Sequence, residues 1–124
     1  MIKPTYVTPE QAKLLKEKGF DVITEFMYGS QVVPQLEEYN RTRYDIYKDY
    51  YYAPEQWQVV EWLRVKHGIH IEVGFDAWNK ETYDFSICIK GRKDYHYDDF
   101  TQYDSPQEAT SAAFDYILKE LKLC

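Results

Sequence analysis

Ile69-His70-Ile71-Glu72-Val73-Gly74-Phe75-Asp76 alternates apolar and polar positions, and the pattern resumes in Tyr83-Asp84-Phe85-Ser86-Ile87-Cys88-Ile89-Lys90. Period 2 is the mark of a strand with one buried face. Two such runs around Asn79-Lys80-Glu81 predict an antiparallel hairpin. Ile69, Ile71, Val73, Phe75, Tyr83, Phe85, Ile87 and Ile89 should face a core. His70, Glu72, Gly74 and Asp76 should face away, with Asp84, Ser86, Cys88 and Lys90. Gly91 turns the chain, and Tyr95 and Tyr97 predict a third, shorter strand.

Helix signals flank this sheet. Upstream, a helix is expected over about residues 54–67, with Val59, Val60 and Leu63 as its core stripe and Trp62 at one margin. His67-Gly68-Ile69 closes it: a basic last turn, a left-handed glycine and an apolar residue folding back. A partial positive charge on His67 would suit the helix dipole there. Downstream, Ser105-Pro106-Gln107-Glu108 is a capping box opening a helix to about residue 121. Its apolar arc is wide, and Ala109, Ala113 and Ile117 fall at i, i+4, i+8 along its middle. The expected class is α+β: a three-stranded antiparallel meander with both helices on one face, in α-β-β-β-α order.

The chain has 124 residues, enough for one domain without disulfide staples. The expectation is a single domain, 1–124, with an N-terminal part (1–52) joined to the core (53–124). Thr8-Pro9-Glu10-Gln11 caps a first helix over about residues 9–18, which Gly19-Phe20 ends. Val22 to Leu36 suggests a hairpin about Gly29-Ser30, with Pro34 confining its second arm to an edge. Residues 37–53 carry Tyr39, Tyr44, Tyr47, Tyr50, Tyr51 and Tyr52 without a clean period, and are expected to form an ordered loop.

Charge narrows the function. Lys+Arg number 15 against 21 Asp+Glu, a net of -6. Residues 1–52 hold 7 basic and 8 acidic residues, and residues 53–124 hold 8 and 13. A bulk polyanion partner is disfavoured, because neutralising phosphates drives nucleic-acid affinity. No apolar run approaches a membrane span, and the N-terminus lacks the pattern of a secretory signal, so a cytoplasmic location is expected. Cys88 and Cys124 make no disulfide framework, and Cys88 reads most simply as a small core residue.

Lys13-Leu14-Leu15-Lys16-Glu17-Lys18-Gly19-Phe20-Asp21, Tyr51-Tyr52-Ala53-Pro54 and Trp62-Leu63-Arg64-Val65-Lys66-His67-Gly68-Ile69 carry a resemblance. In that succession the chain resembles a family of small uncharacterised proteins of gut Bacteroidales bacteria and their phages or prophages. The resemblance implies a mobile-element origin and cytoplasmic expression. The α-β-β-β-α order is also similar to that of double-stranded RNA-binding domains. Their last helix opens with phosphate-gripping lysines, where this chain has Asp104-Ser105-Pro106-Gln107-Glu108.

Catalytic motifs are missing: there is no G-x-S-x-G, H-E-x-x-H, Walker loop or dinucleotide glycine cluster, so neither a reaction nor a cofactor is expected. Cys88 with a distant histidine would be the nucleophile pair of a small enzyme, the least favoured class. His96, Asp98 and Asp99 form the best metal-like cluster, against which stands a solvated acidic stretch before a helix. The leading expectation is a non-enzymatic protein that binds another protein or itself. Its contact surface would be Tyr39, Arg41, Arg43, Tyr44, Tyr47, Tyr50, Tyr51 and Tyr52, since tyrosines offer rigid contact area. The runner-up is a nucleic-acid-binding module using Lys90, Arg92 and Lys93.

Overall fold

The computed structural model describes residues 5–29, 36–41, 44, 50–78 and 81–121, with Lys93, Asp94, Tyr95 and Phe100 described by backbone alone. The fold is mixed α+β: three named helices and two antiparallel three-stranded sheets among those residues. The chain divides into two compact units, Met1–Glu55 and Gln56–Cys124. No helix among the described residues is long and apolar enough to cross a membrane.

In the first unit, α1 (Pro9–Glu17) is closed at its start by a reciprocal capping box. The Gln11 amide donates to Thr8 Oγ1 and the Thr8 amide donates to Gln11 Oε1, each at 3.1 Å. Gly19, with φ of +91°, ends the helix and returns Phe20 to the core, where its amide donates to Leu15 O at 2.9 Å. The adjoining sheet has the order β2-β1-β3, from β1 (Phe26–Tyr28), β2 (Leu36–Glu38) and β3 (Tyr51–Tyr52). The expected hairpin therefore pairs β1 with Leu36–Glu38, at an edge, while Val32, Val33 and Pro34 lie outside the described residues. Residues 37–53 are not simply a loop, since β2 and β3 take both of its ends. Strands of two and three residues are too short to show an alternation. Val7, Ala12, Leu15, Phe20, Met27, Tyr28 and Ala53 are buried here, and the Tyr28 hydroxyl donates to Val7 O. That burial raises the Tyr28 pKa.

The second unit runs α2 (Gln56–His67), β4 (Ile69–Asp76), β5 (Thr82–Ile89), β6 (Arg92–Tyr103), α3 (Pro106–Glu120). The strands form a meander in the order β4-β5-β6. The β4–β5 register pairs Ile69 with Ile89, Ile71 with Ile87 and Val73 with Phe85, as the alternation requires. The third strand is longer than expected, with 12 residues and two register shifts against β5. Its polar residues conceal it: one side of β6 faces water, so an apolar count finds only its tyrosines and Phe100.

Helix α3 packs against all three strands, most extensively β5, and Ala109, Ala113 and Ile117 are fully buried. Ser105 Oγ accepts from the Glu108 amide at 3.1 Å, and Glu108 reaches back to the Asp104 amide. Phe85 and Ile87 are buried beneath the helix layer, and Tyr97 stacks on Tyr116 at 3.9 Å between centroids. Val73 and Phe75, expected in the core, are 37% and 54% exposed. Burial fades along β4 from Ile69, 3% exposed, toward the hairpin end; there each residue has a strand neighbour on one side only, and Phe75 meets Tyr83 at 5.0 Å.

Helix α2 begins at Gln56, beyond the expected Pro54, and buries Trp62 together with Val59 and Leu63. Gly68, at φ +65°, ends it. A Cβ there would lie 3.1 Å from the Lys90 Cβ, so close approach as well as backbone conformation favours glycine. His67 sits in the last turn of α2, as expected, but half-buried rather than open to water. It packs edge-on to Trp62 at 4.7 Å, and burial lowers its pKa.

Two outcomes follow from this packing. Ala113→Leu should overfill the helix–sheet contact and lower stability by about 1–3 kcal/mol in urea denaturation. An unchanged midpoint would place another face of α3 inward. The unfolded chain protonates His67 near its ordinary pKa of about 6.5, while the folded chain resists. His67 therefore contributes stability at neutral pH that is lost as pH falls below that value. His67→Gln should flatten this part of the stability–pH curve, measured as urea midpoints between about pH 7.5 and 5.5.

Candidate functional site

The sheet of the second unit has one face under helices and one open face. The open face is a grid set by register. His70, Cys88 and His96 form one row across β4, β5 and β6, because His70 pairs with Cys88 and Cys88 with His96. Glu72, Ser86 and Asp98 form the next row by the same pairing. Gly74 and Asp84 extend it. A Cβ on Gly74 would lie 2.7 Å from Asp84 Oδ1, so the missing side chain lets that carboxylate lie across β4. A cleft of about 520 Å³ lies over this part of the sheet, lined by Glu72, Val73, Gly74, Asp84, Phe85, Ser86, Asp98 and Asp99.

Three of these residues are joined in a chain. Cys88 Sγ lies 3.1 Å from His96 Nδ1, and His96 Nε2 lies 2.8 Å from Asp98 Oδ1. An ionised carboxylate only accepts, so the proton of this contact belongs to His96 Nε2. In the neutral ring Nδ1 is then the lone-pair nitrogen, and the Cys88 thiol donates to it. His96 and Asp98 side chains are 52% and 40% exposed, while Cys88 is half-buried. Cys88 is thus not a core residue, which corrects the simplest sequence reading. The strand alternation had already placed it among polar positions; the missing information was the register of β6.

The metal-like cluster does not assemble. Asp98 joins His96 on the open face, whereas Asp99 pairs with Phe85 on the other. There Asp99 accepts from the Tyr103 hydroxyl at 3.2 Å and from the Thr101 amide at 2.7 Å. Desolvation, then the Asp99 carboxylate, raise the Tyr103 pKa. Among the described residues no three His, Cys, Asp or Glu side chains are grouped so as to hold a metal ion.

The tyrosine surface is partly assembled in the first unit. Tyr44 stacks on Tyr52 at 4.2 Å, Tyr39 lies 6.0 Å from Tyr44 and 5.8 Å from Tyr52. Lys16 Nζ donates to Tyr50 O at 2.9 Å and sits over the rings of Tyr44 and Tyr51 at 4.9 and 5.5 Å. Tyr39, Tyr44, Tyr50, Tyr51 and Tyr52 are all half-buried, and Arg41 is exposed. Arg43 and Tyr47 lie outside the described residues. Lys90 and Arg92 are exposed on either side of Gly91, and the Lys93 side chain is not among those described.

Sequence reasoning passed over one feature. Trp78, in the β4–β5 turn, is 95% exposed, and Glu81 in the same turn has φ of +53°. A bulky apolar residue within a predicted polar turn was the available signal. The chain matches no protein-family model, no curated protein and no solved structure.

Proposed function

We propose that the chain acts by binding another protein through the Phe75–Trp78 end of the β4–β5 hairpin. The observation that supports this most is the grouping of Val73, Phe75 and Trp78, all exposed, within six residues of one edge strand and its turn. Exposed aromatic area is unfavourable in water and is the usual anchor of an interface. Glu81 holds a left-handed backbone in that turn, a conformation disfavoured for a residue with a side chain. Glu72, Asp76 and Asp84 lie on the opposite face of the same hairpin from Val73 and Phe75, so a partner segment that wraps this end with an apolar anchor and a flanking Lys or Arg is the complementary one. Asp104 and Glu108, where an RNA-binding helix would carry lysines, favour protein over nucleic acid, and Lys90, Arg92 and Lys93 remain the contacts for the nucleic-acid alternative.

A second surface is supported by the tyrosine cluster, which we propose serves self-association. Stacking of Tyr44 on Tyr52, with Tyr39 tilted against both, fixes the rings in advance, which lowers the entropic cost of contact.

Each surface has its own test. Phe75→Ser with Trp78→Ser should leave the urea midpoint nearly unchanged and abolish a partner captured from host lysate by the wild-type chain, with that partner released by salt. Retention of the partner by the double variant would overturn the hairpin assignment. At the tyrosine cluster, Arg41→Glu should dissociate an oligomer in sedimentation equilibrium at little cost in stability, whereas Tyr44→Ser should lower stability by about 1–3 kcal/mol. A wild-type chain that sediments as a monomer at high micromolar concentration removes the self-association reading.

A further inference from the structure

Cys88 sits opposite His96, and His96 is held by Asp98, with contacts of 3.1 and 2.8 Å. A thiol, a ring nitrogen that accepts its proton and a carboxylate that fixes the ring tautomer are the parts of an activated sulfur nucleophile. They come from residues two apart on one strand and a direct neighbour on the next, so the sheet holds them without a loop. A second observation is independent of these contacts. The 520 Å³ cleft lies over the adjacent row, where Ser86 and Asp98 line it; Cys88 and His96 are not among its lining residues, so a reactant seated there reaches the sulfur across one row of the sheet.

We propose that Cys88 is a thiol–disulfide exchange site, with His96 as proton carrier, Asp98 as positioning residue, and small disulfides bearing amine groups as reactants. In the step, the Cys88 thiol gives its proton to His96 Nδ1 and its sulfur forms a bond to one sulfur of the disulfide. The old S–S bond breaks, its electron pair leaves on the other sulfur, and that sulfur takes the proton from His96. One disulfide and one thiol are consumed and one of each is formed, so no oxidant is needed. The amine preference comes from Glu72, Asp84 and Asp98 along the cleft. His70 on β4 and Lys90 beyond Cys88 are the cationic or titratable neighbours on the opposite side of the sulfur.

The test uses the full chain with Cys124→Ser, so that one thiol remains. Cystamine and bis(2-hydroxyethyl) disulfide are the probes, and the mixed disulfide on Cys88 is followed by intact mass. Folded chain should react with cystamine about tenfold or more faster than the urea-unfolded chain, allowing for the effect of urea on a free thiol. Cystamine should exceed the uncharged disulfide by a ratio that shrinks with salt. His96→Ala should lose the folded-state excess, and added imidazole should return part of it. Asp98→Asn should slow the reaction and remove the Nε2–H tautomer from the His96 ring nitrogen spectrum, with an unchanged denaturation midpoint. A folded chain no faster than the unfolded one, or a rate indifferent to His96→Ala, would overturn the proposal. Equal rates for the two disulfides after correction for their intrinsic reactivity would overturn the cleft as the reactant's seat.

Discussion

Ala109 and Ala113 carry nothing beyond a Cβ, and α3 can therefore lie close on β5, where Phe85 and Ile87 fill the space to either side. That contact fixes which side of the meander is dry. Once Phe85 and Ile87 face the helix, Asp84, Ser86 and Cys88 must face outward, because strand side chains alternate. Pairing then carries the same polarity to His70 and Glu72 on β4 and to His96 and Asp98 on β6. A one-residue slip of β6 against β5 would bring Tyr97 beside Cys88 and leave the thiol without its imidazole. The polar grid is thus a by-product of the core, held in place by apolar burial on the far side of the sheet.

Much of this unit was legible because its signals agree. Alternation in residues 69–76 and 83–90, Gly68 after a helix and Ser105 before one all point to the same meander. The misreadings occur where one signal depends on distant residues. Trp62 lies inward on α2, although the residue pattern put it at a margin. Val73 and Phe75 follow the apolar alternation faithfully, yet no periodicity states which strand will be the edge. In the first unit the strands are shorter than their own period, and what organises the tyrosines is Lys16 from α1, far off in sequence.

The open-face residues illustrate the same limit. Cys88, His96 and Asp98 are each visible in the sequence as chemically able residues, but their local patterns point apart, one to a core and two to a cation cluster. Neighbouring Asp98 and Asp99 look alike in sequence, and the pleat sends them to opposite faces. Burial likewise complicates the reading of His67, since desolvation acts against the charge that a helix terminus favours. In each case the residue type was informative and its neighbours across the sheet or helix decided the role.

The outer edge of β4 has a consequence for how the chain behaves at high concentration. Among the described residues no strand pairs with that edge, and it is eight residues long with Val73 and Phe75 exposed along it. A strand edge left unpaired among the described residues is a template for adding another strand from a second copy. Glu72 and Asp76 act as gatekeepers, since stacking β4 on β4 brings their carboxylates into a repulsive ladder. High salt that screens them weakens the barrier while leaving the apolar edge in place. Concentrated solutions at high salt are accordingly the conditions that most favour strand addition between copies at this edge.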